Sequence, residues 1–66
     1  MKEITIEVLR EWSGDPTLAD EELQAISNTA NSSLLRSGMP TYFFKDMFIT
    51  EAKRYIRIKN LIKERG

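Results

Sequence analysis

The amino-acid sequence predicts a small all-α domain of three helices. Two turn sequences, Ser13-Gly14-Asp15-Pro16 and Ser37-Gly38-Met39-Pro40, divide the chain into three segments. Each segment carries apolar residues at helical spacing, and 66 residues with 41% hydrophobic content suffice for one core. We expect the last helix to pack antiparallel on the second as a helical hairpin, with the first lying across both. The single domain covers residues 1–66, and its helices cover about residues 5–12, 18–36 and 41–64.

The first helix is predicted from Ile4, Val8, Leu9 and Trp12, which recur at helical spacing. Thr5 suits the N-cap, because its hydroxyl can accept a hydrogen bond from a free N–H of the first turn. The glycine and proline of the following turn end the helix. Trp12 is expected to fill the core through its large apolar area.

The second helix is predicted from an acidic start and an apolar face. Asp20, Glu21 and Glu22 suit a first turn, where they complement the helix dipole. Adjacent positions fan around a helix, so we do not assign these carboxylates to a metal or to acid–base chemistry. The apolar face consists of Leu23, Ile26, Ala30 and Leu34. The run of polar residues from Asn28 to Ser33 forms helix weakly and leaves a turn near 27–29 as an alternative to a continuous helix.

The third segment has two interpretations. A long helix from Pro40 or Thr41 would place Phe44, Phe48 and Ala52 on one side. Alternatively, residues 42–49 form a small β-hairpin before a separate helix, which would make the domain a winged helix. The Lys45-Asp46 pair lacks the Asn-Gly or Asp-Gly chemistry of two-residue hairpin turns, so we favour the long helix.

The composition excludes several classes of function. The chain has no cysteine and no histidine, which removes disulfides, Cys/His metal sites and any Ser-His-Asp triad. Its three glycines form no phosphate-binding loop. We therefore predict a non-enzymatic protein without cofactor or small-molecule substrate. With no apolar run of about 20 residues and a charged N-terminal segment, we expect a cytoplasmic protein without a membrane partner.

Charge is distributed unevenly along a chain whose net charge is zero. Residues 1–33 hold seven acidic and two basic side chains, whereas residues 34–66 hold eight basic and three acidic ones. Such a division can reflect pairing between helices inside the fold or a basic surface that meets nucleic acid.

The leading functional prediction is a small adaptor or regulatory protein that binds another protein or forms a homodimer. A chain this short has little core, yet it carries many large apolar side chains in its second half. The predicted interface residues are Tyr42, Phe43, Phe44, Phe48, Tyr55, Ile58 and Ile62.

Three segments resemble small winged-helix excisionase and repressor-type proteins. Residues 26–29, 34–40 and 49–52 are similar to the recognition helix, the wing and the following helix. The resemblance implies a DNA-binding regulator in which Asn28, Thr29, Ser32, Ser33 and Arg36 face the major groove, and Lys45 touches phosphate from the wing tip. This alternative function would also use Lys53, Arg54 and Arg57 on phosphates, which gives steep salt dependence.

The order of elements also resembles that of small helical phage connector and adaptor proteins. Those proteins begin with a short helix and a turn, as Ile4 to Leu23 does, and end with a basic helix after a proline-led connection. The resemblance implies a protein-binding component of a phage or mobile element.

Overall fold

The structure, a computed structural model, describes residues 4–65 and the side chains of residues 4–64. Across these residues it contains three α-helices, one short 3₁₀ helix and no β-strand. The helices are α1 (Ile6–Ser13), α2 (Asp20–Ser37) and α3 (Phe44–Arg65), with the 3₁₀ helix at Thr41–Phe43. The predicted all-α domain of three helices is confirmed. Residues 1–3 and 66 of the predicted domain lie outside the described part.

Helix α1 begins and ends as its capping residues predict. The Thr5 hydroxyl oxygen accepts a hydrogen bond of 3.3 Å from the Val8 N–H. Gly14 adopts a left-handed conformation with φ 74°, which a residue with a side chain adopts at a cost. The cap and the turn therefore fix α1 within one residue of its expected bounds.

Helix α2 runs without interruption through the polar segment, so the alternative of a turn near 27–29 is wrong. The Thr29 hydroxyl donates a hydrogen bond of 3.0 Å to the Ala25 carbonyl oxygen one turn earlier, so its donor is paired inside the helix. Leu23, Ile26 and Ala30 are buried on one face, and this packing outweighs the weak propensity of the exposed face.

The segment after α2 is helical, and the winged-helix alternative with a hairpin at 42–49 is wrong. Among the described residues only glycines have positive φ, so Lys45-Asp46 lacks the conformation of a tight hairpin turn. A helix instead places Phe44 and Phe48 one turn apart on the same side, with ring centroids 6.2 Å apart. The α-helix begins at Phe44 because Thr41–Phe43 forms a 3₁₀ turn after Pro40.

The core lies where the three helices meet. Glu22 near the start of α2 contacts Lys59 in the second half of α3. Leu34 near the end of α2 and Phe44 at the start of α3 line the same groove. The two helices are therefore antiparallel, as predicted. Trp12 of α1 packs against Phe44 and Phe48 of α3 at centroid distances of 6.3 and 6.0 Å. The buried apolar residues are Leu9, Leu18, Leu23, Ile26, Ala30, Leu34, Phe48 and Ala52. Within residues 4–65 no helix is both long and apolar enough to span a membrane.

Candidate protein-binding surface

The C-terminal half of α3 extends beyond the core. Every side chain from residue 57 to residue 64 is exposed, although the helix continues without a break. Three of these residues are large and aliphatic, and their i, i+3, i+4 spacing places them on one face. They are Ile58, Leu61 and Ile62, which are 51%, 51% and 67% exposed and which we call the α3 strip.

A groove between α2 and α3 continues the α3 strip towards the core. It has a volume of about 280 Å³, and Ile58 belongs to both the groove and the strip. We call it the α2–α3 groove; its wall on α2 consists of small or apolar residues, and its wall on α3 is mixed. The lining residues are Ala25, Ile26, Thr29, Glu51, Arg54, Tyr55 and Ile58.

Two arginines border the α2–α3 groove and the α3 strip. Arg54 lies one turn before Ile58 on the same face, and its Nη1 is 3.7 Å from Oε1 of Glu51, which is a long ion pair. Arg57 lies one turn before Leu61, and among the described side chains it has no ion-pair partner. Two guanidinium groups therefore border the apolar surface that the groove and the strip form.

The direction of α3 where it leaves the core is fixed by Glu22. One carboxylate oxygen, Oε1, accepts from the Ala19 N–H at 2.9 Å and thereby caps α2. The other oxygen, Oε2, accepts from the Tyr55 hydroxyl and from Lys59 Nζ, the latter at 2.9 Å. Ala19 has no side-chain oxygen, so Glu22 provides the only side-chain half of this cap. We call Glu22, Tyr55 and Lys59 the Glu22 cluster.

The Glu22 cluster has shifted ionisation. Hydrogen bonds from the Tyr55 hydroxyl, then from the Ala19 N–H and Lys59, lower the pKa of Glu22 from 4.5 to about 2. The same carboxylate raises the pKa of Tyr55 and the pKa of Lys59, because it stabilises the protonated form of each. At neutral pH the cluster holds an ionised Glu22 between a neutral phenol and an ammonium group.

A second groove lies on the other side of α2, near the chain connection to α3. It has a volume of about 510 Å³, and its polar lining is uncharged. Tyr42 is 77% exposed beside it, and its ring packs against that of Phe43 at a centroid distance of 4.6 Å and a tilt of 34°. The lining residues are Ile4, Ser27, Asn28, Asn31, Leu34, Thr41, Tyr42 and Phe44.

The structure separates the predicted interface residues into three groups. Phe48 is fully buried and belongs to the core, so it is not part of a free surface. Phe43 and Phe44 are half-buried near the second groove with the exposed Tyr42. Tyr55, Ile58 and Ile62 lie at the α2–α3 groove and the α3 strip. The sequence analysis did not name Leu61, although its position three residues after Ile58 indicates the same helix face. It did not name Ala25 either, because the exposure of Ala25 depends on how much of α2 the helix α3 covers.

The predicted DNA-contact residues are divided between α2 and α3. Asn28 and Thr29 line different grooves, and Ser33 is half-buried while Ser32 and Arg36 are exposed. The winged-helix resemblance places Lys45 at a wing tip, but it lies in the first turn of α3 with Nζ 5.8 Å from the centre of the Trp12 ring. The three basic residues of α3, Lys53, Arg54 and Arg57, are exposed, and Arg54 alone lines a groove.

Comparison of the chain with models of protein families, with curated proteins and with solved structures gives no match. Among the described residues no group of three or more acidic side chains is arranged to hold a metal ion. These comparisons therefore carry no information about the function of the chain.

Proposed function

We propose that the protein is a small non-enzymatic adaptor or regulator that binds another protein through the α3 strip and the α2–α3 groove. The observation that carries the proposal is the exposure of Ile58, Leu61 and Ile62 on one face of a helix half that nothing in residues 4–64 covers. Exposed apolar side chains that continue into a groove are typical of interaction sites, because covering them removes apolar area from water.

The Glu22 cluster supports the proposal. The Glu22 cluster ties α3 to the start of α2 through Tyr55 and Lys59, at the point where the helix leaves the core. A partner would then meet a helix whose direction is set, which reduces the entropy lost on association. Recognition of one helix by another in a groove between helices is a common mode of protein binding.

The proposal extends to where the adaptor acts and to the kind of genetic element that encodes it. A chain without cysteine suits a reducing compartment, and we propose that the adaptor acts in the cytoplasm. The order of elements resembles that of small phage connector and adaptor proteins, and on this resemblance we propose a role in a phage or mobile element.

Site-specific photo-crosslinking tests the proposal. A photoreactive phenylalanine analogue in place of Leu61 should crosslink one defined protein in an extract of the source cells. The same analogue in place of Lys63, which is exposed away from the α3 strip, should not. The Ile58→Gln, Ile62→Gln double variant should abolish the crosslink while Leu35→Gln, at an exposed leucine of α2, should leave it unchanged. Equal crosslinking from both positions, or unfolding of the double variant, would contradict an interface role.

Nucleic-acid binding is a second candidate function, in a form that does not use the predicted β-hairpin. The observation that favours it is the pair Lys53 and Arg57, which are exposed one turn apart and have no ion pair among the described residues. Titration of a DNA duplex at two salt concentrations tests it, since several phosphate contacts weaken binding by orders of magnitude as salt rises. A response that does not change with salt would remove this candidate.

A further inference from the structure

We infer that the partner of the α2–α3 groove presents an amphipathic α-helix whose apolar stripe is flanked by acidic residues. The inference rests on the proposed function, because it names the class of partner for the same surface. It follows from the shape of the groove and from the charge at its rim.

The shape of the surface fits about three turns of a helix. The apolar surface extends along α3 from the level of Glu51 to Ile62, which is roughly 16 Å at a rise of 1.5 Å per residue. On the α2 side, Ala25 and Thr29 are exposed and short, so a second helix can approach the backbone closely. An apolar stripe at i, i+3 or i+4, and i+7 would place its side chains between these residues and the α3 strip.

The charge at the rim calls for carboxylates on the partner. Arg54 and Arg57 border the apolar surface, whereas the two carboxylates at the level of the groove, Glu22 and Glu51, are already engaged. Glu22 accepts hydrogen bonds on both of its oxygens, and the largely buried Glu51 faces Arg54. Guanidinium groups pair well with carboxylates in two-bond geometry, so acidic residues beside the apolar stripe would meet both arginines.

A second copy of the chain fits this surface less well. Two α3 strips related by a two-fold axis would bring Arg54 and Arg57 of both copies into one interface. On this surface of the described part, each copy offers one carboxylate outside the pairs of Glu22 and Glu51, that of Glu64 three residues after Leu61, against two arginines. Like charges at such an interface oppose association, whereas an acidic helix is attracted.

Two synthetic helices test the inference. Both are 18-residue peptides with the same leucine stripe; one carries glutamates beside the stripe and the other carries lysines. Binding is followed by backbone amide NMR signals of the full-length protein. The acidic helix should shift the signals of Ala25, Thr29 and Ile58 and should bind at least about tenfold more tightly than the basic helix.

Matched variants locate the effect of charge. Arg54→Gln should weaken binding of the acidic helix by about tenfold, because the variant removes a charge at the rim. Lys63→Gln also removes one positive charge from α3. Lys63 lies nine residues after Arg54, about 180° away around the helix, so this variant should leave binding unchanged. Both residues are exposed, but Arg54→Gln also removes the ion-pair partner of Glu51, so thermal unfolding of both variants is compared with that of the unchanged protein first. Equal weakening by both variants would show general attraction and would overturn the inference.

The outcomes separate this inference from the proposed function. If both helices bind equally and the Ile58→Gln, Ile62→Gln variant abolishes both, the apolar surface stands and the acidic partner is overturned. If neither helix binds while Leu61 still crosslinks a protein, the inference fails and the adaptor role remains. Concentration-dependent dimerisation in analytical ultracentrifugation that Ile62→Gln abolishes would replace the acidic helix with a second copy. A DNA duplex that shifts the same amide signals would likewise overturn it.

Discussion

The two halves of α3 have the same type of sequence but different surroundings. Residues 44–56 include Phe48 and Ala52, both fully buried, and their other apolar side chains are half-buried. Residues 57–64 also carry aliphatic residues at helical spacing, yet every side chain there is exposed. The comparison shows that periodicity identifies an apolar face, whereas the neighbouring elements determine whether that face is buried.

The difference arises from the lengths of the helices. Helix α2 has 18 residues and α3 has 22, and the two run antiparallel. The start of α2 reaches α3 through Glu22 and its contact with Lys59, and the side chains beyond that level of α3 remain exposed. The first half of α3 therefore contributes to stability, and the second half leaves its side chains exposed.

The largest expected effect is the loss of Phe48. Phe48→Ala removes a fully buried ring and should destabilise the domain by about 3–5 kcal/mol, which is a large part of the stability of a small domain. Ile62→Ala in the exposed half should change the free energy of unfolding by less than about 0.5 kcal/mol. Urea denaturation followed by circular dichroism measures both. Equal destabilisation would mean that the C-terminal half is packed in solution.

A smaller effect is expected from enlarging the buried alanine of α3. Ala52→Leu inserts three carbon atoms at a fully buried position of the core and should cost about 1–3 kcal/mol. Lys53→Leu, at the adjacent exposed position, introduces the same side chain and should be nearly neutral. Thermal unfolding compares them, and a neutral Ala52→Leu would show that the first half of α3 packs loosely.

The Glu22 cluster should make stability depend on pH. Since hydrogen bonds lower the pKa of Glu22 from 4.5 to about 2, its contribution is present above pH 4.5 and is lost as the pH falls towards 2. Glu22→Gln should therefore lower the Tm at pH 7 and flatten the loss of Tm on acidification. Glu21→Gln removes an exposed charge from the same turn and serves as the control. An unchanged acid profile in Glu22→Gln would exclude the cluster as its cause.

A residual acid dependence is expected in Glu22→Gln. Hydrogen bonds from the Thr17 hydroxyl and N–H lower the pKa of Asp15, so this carboxylate also loses a contribution below pH 3.8 in every variant. At the alkaline end, the raised pKa values of Tyr55 and Lys59 mean that their contributions are complete below pH 10.0 and are lost as the pH rises through the raised values. Tyr55→Phe should reduce that alkaline loss.

Much of the fold could be predicted because it depends on local signals. Thr5, Gly14 and Gly38 cap the helices where the sequence indicated, and the apolar face of α2 is buried as expected. The role of Glu22 could not be predicted, because Tyr55 is 33 positions away in the chain and only the packing of α2 on α3 brings them together.

The candidate surface was predicted in part. Ile58 and Ile62 were named from their periodicity, but the same criterion also named Phe48, which is buried. Periodicity cannot separate these residues, because all three lie on apolar faces of one continuous helix. Phe48 differs from Ile58 and Ile62 because it lies where α2 covers α3. The extent of that cover depends on the register between the two helices.

The smallest expected effect concerns Lys45, whose ammonium group lies 5.8 Å from the centre of the Trp12 ring. At such an exposed site a cation–π contact contributes about 0.5–1 kcal/mol. Lys45→Ala should therefore destabilise the domain slightly, and Lys45→Arg should retain the effect. Lys53→Ala, with no aromatic partner among the described residues, is the control. Lys45 connects the packed half of α3 to Trp12 of α1. If Lys45→Ala destabilises the domain and Lys45→Arg and Lys53→Ala do not, then an exposed side chain of the packed half also contributes to stability.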